Sequence, residues 1–253
     1  MSQLDGKVAI VTGAARGLGR AYAEAMAREG AAIFACDINP CDDTVAAIVA
    51  AGGRAAGAIT DIASMDSCTA MAQQAVDAYG RIDVLVNNAA LYAGLQGARF
   101  ENLDEAQWDA VMNINVKGLW QSCKAVVQPM RDAGGGSIIN ISSLAAVYGL
   151  PYGLDYVASK AAVIGMTRGM ARELGQDRIR VNAVAPSAVM TEGTEDFFGE
   201  KLEKAKKVIA AGQLIQRNLE TCDLTGTIIY LASDNSAFVT GQTHMVDGGS
   251  WFL

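Results

Sequence analysis

Tyr156 and Lys160 stand four residues apart, which on a helix places both side chains on one face, one turn from each other. A free phenol titrates near about 10 and is a poor base at neutral pH. An ammonium within reach favours the phenolate, so the pair suits a general base in one direction and a general acid in the other. Taken alone, Tyr-x3-Lys is commonplace on helix surfaces. A second feature supplies something for it to act with. Thr12-Gly13-Ala14-Ala15-Arg16-Gly17-Leu18-Gly19 falls between an apolar run and a helix-like segment. Glycine at these places permits a tight turn and lets the backbone approach a pyrophosphate at a helix N-terminus. Asp37 lies eighteen residues beyond Gly19, near the roughly 20-residue offset of a carboxylate that binds an adenosine ribose. Such a carboxylate repels a 2′-phosphate, so NAD is expected over NADP. Arg16 pulls the other way, but the Asp37 charge would sit directly against the phosphate.

These residues need a scaffold that alternates strands and helices. Short apolar runs at Val8–Thr12, Ala31–Asp37, Ala55–Ile59, Val84–Asn87, Ser137–Ser142, Arg180–Ala185 and Thr243–Val246 read as strands. Between them lie amphipathic stretches, such as Gly19–Glu29 closed by Gly30 as a C′ residue. Asp104 and Gln107 are spaced as a capping box for a helix running toward Val127. The alternation predicts an α/β fold with a doubly wound parallel sheet of about seven strands, helices on both faces, and one domain over residues 1–253. The four prolines, Pro40, Pro129, Pro151 and Pro186, fall where loops or helix ends are expected. A polar, helical segment from Thr191 to about Gly212 interrupts the alternation and reads equally as a lid or a plain exposed helix.

The 253 residues are about half apolar and only 6% aromatic, so small aliphatic residues must fill the core. A net charge of −7 argues against nucleic acid or an anionic membrane as partner. No apolar stretch approaches the roughly 18 residues of a membrane helix, and the opening MSQLDGKVAIV has no signal-peptide layout. A cytoplasmic location is expected. Cys36, Cys41, Cys68, Cys123 and Cys222 show no CxxC spacing and read as small core residues. His244, the only histidine, has no ligand-spaced neighbours, so no metal site is expected; it reads as a satisfied residue near the C-terminus. A lone histidine and the lack of a GxSxG elbow also weaken a Ser-His-Asp hydrolase.

In order and spacing, Gly13-x3-Gly17-x-Gly19, Asn87-Asn88-Ala89 and Tyr156-x3-Lys160 resemble the short-chain dehydrogenase/reductase family. The resemblance spans the whole chain, through Thr240-Gly241-Gln242 to Val246-Asp247-Gly248-Gly249. It implies a Rossmann-type fold and a catalytic serine about thirteen residues before the tyrosine. Ser142 and Ser143 are both candidates, and that offset selects Ser143. Asn115 matches the tetrad asparagine, with the implied role of anchoring a water in a proton relay toward Lys160. Ser143 would hydrogen-bond the substrate oxygen, and Lys160 would also hold the nicotinamide ribose. Implied cofactor contacts extend to Asp61 and Ile62, then Asn88 and Ala89, then Pro186, Val189 and Thr191, while Asn87 steadies the sheet. Two departures stand out: Asn87-Asn88-Ala89-Ala90 and Pro186-Ser187 each lack a glycine usual in the family.

The expected substrate wall is apolar and aromatic: Leu91, Tyr92, Leu95, Ala145, Leu150, Tyr152 and Met190, with no obvious lysine or arginine. It predicts a neutral, hydrophobic secondary alcohol or its ketone, aryl or alicyclic. The stretch from Ala185-Pro186-Ser187 onward also resembles members that oxidise aryl-alkyl alcohols. A 3-oxoacyl-carrier-protein reductase, a sugar or polyol dehydrogenase, and a dinucleotide-sensing binding protein without turnover are the alternatives. Against the first stand Asp37 and the net acidity; the last would be expected to lose Tyr156 or Lys160. The family implies a homotetramer, and Ser250-Trp251-Phe252-Leu253 reads as a cluster buried at an interface.

Overall fold

A computed structural model describes residues 2–252. Its strands are β1 (Val8–Thr12), β2 (Ala32–Asp37), β3 (Arg54–Ile59), β4 (Val84–Asn87), β5 (Gly136–Ile141), β6 (Ile179–Pro186) and β7 (Thr243–Val246). They form one sheet in the order β3-β2-β1-β4-β5-β6-β7, and every neighbouring pair is parallel. Each strand lies within one residue of the run expected from the sequence. The helices are α1 (Gly17–Arg28), α2 (Asp42–Ala50), α3 (Met65–Tyr79), α4 (Glu105–Met112), α5 (Leu119–Asp132), α6 (Ala145–Tyr148), α7 (Leu154–Leu174), α8 (Glu192–Phe198), α9 (Leu202–Ala211) and α10 (Thr221–Ala232).

The inner strands are apolar on both faces because both faces are covered. In β1, Ala9 and Val11 join one core with Tyr22 and Met26 of α1, Ile48 of α2 and Ile228 of α10. Ile10 between them points the other way, into a core with Met71 of α3, Val126 of α5 and Val163 of α7. The period-2 alternation of a strand thus feeds two separate cores. Gly30 ends α1 with φ +93°, as the sequence predicts for a C′ glycine.

Four local expectations are corrected. Asp104 accepts the Gln107 N–H at 2.9 Å, but the Gln107 side chain does not return to close a box; it donates instead to Asp155 at 2.7 Å and to the Gln96 carbonyl at 3.2 Å. Tertiary partners won over the local cap. The helix that starts there does not run unbroken toward Val127, since a π-turn over Asn113–Gly118 separates α4 from α5, a widening common at functional sites. Pro129 lies inside α5 rather than beyond its end, where its carbonyl still accepts from Ala133 at 3.0 Å. Pro186 is the last residue of β6, past the point where that strand pairs with β5.

Candidate active site

Strand order reverses between β1 and β4, and parallel sheets bind ligands at the carboxyl ends of strands beside such a switch. A cavity of about 1490 Å³ opens there, larger than the roughly 300–1,000 Å³ of a typical single-ligand site. Its wall takes Gly13 after β1, Asp37 from β2, Asp61 after β3, Asn88 after β4, Ser143 after β5 and Pro186 from β6.

The glycine loop is held from beneath. Thr12 Oγ1 accepts the N–H groups of Asn88 and Ala89, each at 3.1 Å. Asn88 Nδ2 donates to the carbonyls of Thr12 and Gly13 at 3.0 and 3.1 Å, so this expected cofactor residue also braces the loop. Asp37 accepts the Ala15 N–H at 3.2 Å and the Asn39 N–H at 3.0 Å. Arg16, Gly17 and Leu18 line the cavity, as do Ile62 and Ala89. Gly19 does not line it; a Cβ there would stand 2.0 Å from the Gly13 carbonyl oxygen. Gly17 differs: with φ +58°, a Cβ would meet nothing nearer than Thr191 at 3.9 Å. Gly19→Ala should therefore lose about 2–4 kcal/mol of stability through overpacking. Gly17→Ala should lose only about 1–2 kcal/mol, from left-handed backbone strain, while obstructing the cradle. Thermal unfolding of the two variants checks the order.

Tyr156 and Lys160 lie in the first two turns of α7. Buried Asp155 accepts the Tyr156 N–H at 2.8 Å. Lys160 is 5% exposed and donates from Nζ to the Ile141 carbonyl at 2.8 Å, with Nζ 5.7 Å from the Tyr156 ring centroid. Burial lowers the lysine to about 8. Burial raises the Tyr156 phenol well above its ordinary value, helped by Tyr92, while the nearby Ser143 hydroxyl opposes the rise. The two serines have separate tasks. Ser142 Oγ donates to the Lys160 carbonyl at 2.8 Å, whereas Ser143 meets the phenol. Asn115 sits in the π-turn, buried behind the wall: its Oδ1 accepts the Leu91 N–H at 2.7 Å, and Nδ2 donates to the Leu91 carbonyl at 3.1 Å and to Ser159 Oγ at 3.2 Å. Ser159 in turn donates to the Tyr156 carbonyl at 2.8 Å. Asn87 donates to Asn140 across the β4–β5 pair at 2.9 Å.

On the substrate side, Leu91, Tyr92, Ala145 and Leu150 line the cavity. Leu95, Tyr152 and Met190 do not. Tyr152 is 65% exposed and left-handed at φ 65°, its carbonyl taking the Ala98 N–H at 3.1 Å. The Leu95 N–H turns back to the Tyr92 carbonyl, and that turn carries Leu95 away from the wall. An extended bridge between Val189 and Leu219 sends Val189 and Thr191 inward and Met190 outward, into a shallow pocket with Arg20 and Glu24. Residues 191–212 fold as α8, a 3₁₀ turn and α9, and they supply Thr194, Phe197, Lys201, Lys204 and Ile209 to the wall. The two lysines correct the expectation of a wall without cations. Spacings of four, three and four through Phe197, Lys201, Lys204 and Val208 were the helical signal for that face. Tyr148, Gln213 and Trp251 also enter the wall, and no local motif marked them.

His244 on β7 is not satisfied: its Nε2 is buried with no hydrogen-bond partner among the described residues, and burial lowers its pKa. Four cysteines are buried as expected, but Cys222, in the first turn of α10, is exposed. Trp251 and Phe252 are 45% and 75% exposed on the single chain, and Leu253 lies outside the described residues. Among the described residues no group of three or more His, Cys, Asp or Glu is placed to hold a metal, and no helix is long and apolar enough to cross a membrane.

Residues 13–250 match the family model described as Enoyl-(Acyl carrier protein) reductase. The chain is 39% identical to the 3-oxoacyl-(acyl-carrier-protein) reductase of Thermotoga maritima, over 98% of each chain. It is 38% identical to D-threitol dehydrogenase of Mycolicibacterium smegmatis, over 98% of this chain and 94% of that one. Carveol dehydrogenase from Mycobacterium avium, solved in complex with NAD, superposes with a TM-score of 0.92 at 31% identity, covering 99% of both chains. A family model matched over nearly the whole chain, with relatives at 31–39% identity covered almost end to end, shows that the chain belongs to the short-chain dehydrogenase/reductase family of oxidoreductases.

Proposed function

We propose that this chain transfers a hydride between NAD(H) and a hydrophobic secondary alcohol or its ketone, neutral at the reacting end and aryl or alicyclic in character. The observation that carries this reading is the convergence of Tyr156, Ser143 and Lys160 on the same cavity as the glycine loop and Asp37. The residues fit a dinucleotide. Gly17 leaves open, left-handed backbone where a side chain would intrude, and Asp37 ends β2 with its carboxylate on the cavity. The relative solved with NAD shares this frame over nearly its whole length.

Bound there, the nicotinamide would supply or accept the hydride. The protein moves the proton. Tyr156 gives its phenolic proton to the carbonyl oxygen in reduction and takes the hydroxyl proton in oxidation. Ser143 donates to the same oxygen and stabilises charge as it develops. Lys160, its ammonium anchored by the Ile141 carbonyl, favours the phenolate electrostatically. Tyr92, Leu150, Phe197 and Ile209 keep water from the reacting carbon.

Lys201 and Lys204 favour a second reading, reduction of a 3-oxoacyl thioester on an anionic carrier. A spectrophotometric screen separates the two. Aryl and alicyclic alcohols are expected to turn over with NAD and far more slowly with NADP. Turnover confined to acyl thioesters with NADPH would replace the first reading by the second.

A further inference from the structure

The ring of Tyr92 is stacked on one side against Phe197 of α8, with centroids 4.8 Å apart and 17° between planes. On the other it meets the ring of Tyr156 at 5.2 Å and 44°. The Thr194 hydroxyl lowers the Tyr92 phenol against the rise that burial brings, and this buried residue donates to the Val189 carbonyl at 2.6 Å. The stacked ring therefore joins Tyr92 to the first helix of the 191–212 segment. The loop that carries Tyr92 follows β4 and has no strand or helix at residues 88–99. What fixes it at this point is Asn115, whose amide closes both hydrogen bonds on the backbone of the preceding residue, Leu91. Asn115 is tied in turn through Ser159 to the carbonyl of Tyr156. A continuous set of contacts runs from the turn of α7 bearing the phenol to the helix that roofs the substrate space, with Tyr92 at its centre.

We propose that Tyr92 is a positioning residue that clamps the 191–212 lid against Tyr156, and that Asn115 acts on the lid through it. The clamp couples three things: lid closure, the apolar wall beside the reacting carbon, and the surroundings of the phenol. Aromatic stacking adds modestly to burial, little enough for the lid to open and enough to bias it shut. Clamping by ring contact also accounts for an apolar wall on that side, since Tyr92 and Phe197 present ring edges and faces to whatever lies beneath them. The titratable groups around Tyr156 are Tyr92, Tyr148 of α6 and Asp155 and Lys160 of its own helix, with Arg16, Asp37, Asp61, Glu192, Lys201 and Lys204 elsewhere on the cavity wall. Of these, Tyr92 alone touches both the phenol's ring and the lid.

The role of Tyr156 rests on the proposed function, so the deciding test avoids turnover. Lys201, Lys204 and Lys207 are exposed tryptic sites in the lid. In limited trypsinolysis of the chain without dinucleotide, Phe197→Leu and Tyr92→Leu should speed cleavage at 201–207 about tenfold. Tyr92→Phe keeps the ring and both of its ring contacts, so it should be cleaved at close to the parent rate. In the assay, both leucine variants should raise KM for the ketone more than they lower kcat. Tyr92→Leu should also move the alkaline rise of alcohol oxidation to lower pH, because it exposes the phenol and removes a neighbour that raises it; Phe197→Leu should not. Parent-like cleavage in both leucine variants, with circular dichroism showing the fold intact, overturns the clamp. If Tyr92→Leu fails to fold, the Tyr92→Phe and Phe197→Leu pair decides by the same readout. A parent enzyme inert toward every ketone defeats the proposed function, while the cleavage rates still judge the clamp.

Discussion

Tyr156→Phe should abolish measurable turnover and leave NADH bound nearly as tightly as in the parent. The substitution removes one oxygen from a side chain whose ring stays packed against Tyr92, so cavity shape and glycine loop are untouched. What is lost is the phenol that lies beside the Ser143 hydroxyl and shares a helix face with Lys160. Removing a positioned proton donor costs roughly a hundred- to ten-thousandfold in rate, and Ser143 with the wall residues remains to bind the ketone. Rate and affinity should therefore part company: kcat collapses, while the NADH dissociation constant from fluorescence titration changes little. Parent-like kcat in this variant would end the assignment.

The pH dependence of the parent enzyme follows from the same pair. Burial holds the phenol protonated above its ordinary value, which suits it as an acid for ketone reduction. Oxidation needs the phenolate, so its rate should climb with pH. Lys160 is lowered to about 8 by burial; its charge supports the phenolate below that value and fades above it. Lys160→Met should accordingly slow oxidation below about pH 8, where the parent's ammonium is charged, and alter it less above that value, a difference read directly from the pH–rate profile.

The parallel sheet is legible because strand and helix announce themselves by period, and both faces of the inner strands are apolar for one reason. Glycine spacing and the Tyr156–Lys160 pair were legible because their chemistry depends on local geometry: a turn, and one step along a helix. The misses share a different cause. Met190 was assigned inward without knowing the phase of the extended segment that Leu219 pairs with. Tyr152 was placed by type, although a left-handed turn points it outward. Lys201, Lys204 and Trp251 reach the cavity only because distant segments fold over it. Asn115 was identified by resemblance, but its engagement with Leu91 depends on a π-turn that helical periodicity does not register. Gln107 shows the same limit at small scale, since a side chain with a local cap available took the tertiary partner Asp155.

Asp37→Asn should open the enzyme to NADP. The carboxylate lies on the cavity wall at the end of β2, with Oδ2 accepting from Ala15 and Oδ1 from Asn39. Asparagine keeps the shape and one acceptor oxygen, so the glycine loop should hold its course. It removes a full negative charge from the spot where a 2′-phosphate must lie. Two like charges at 4 Å repel by about 4 kcal/mol at an effective dielectric of 20 and by about 1 kcal/mol in water. For a site partly open to solvent, an intermediate value corresponds to a change of roughly a hundredfold in the ratio of kcat/KM for NADP over NAD. Arg16 lines the same wall and would then contribute attraction with no opposing carboxylate at residue 37. Salt supplies an independent check, because screening acts on repulsion but not on ribose hydrogen bonds. Discrimination by the parent should weaken as ionic strength rises, and that of the variant should change little. An unaltered cofactor ratio in Asp37→Asn would mean that the ribose lies elsewhere, and the preference for NAD would have to be sought in another part of the wall.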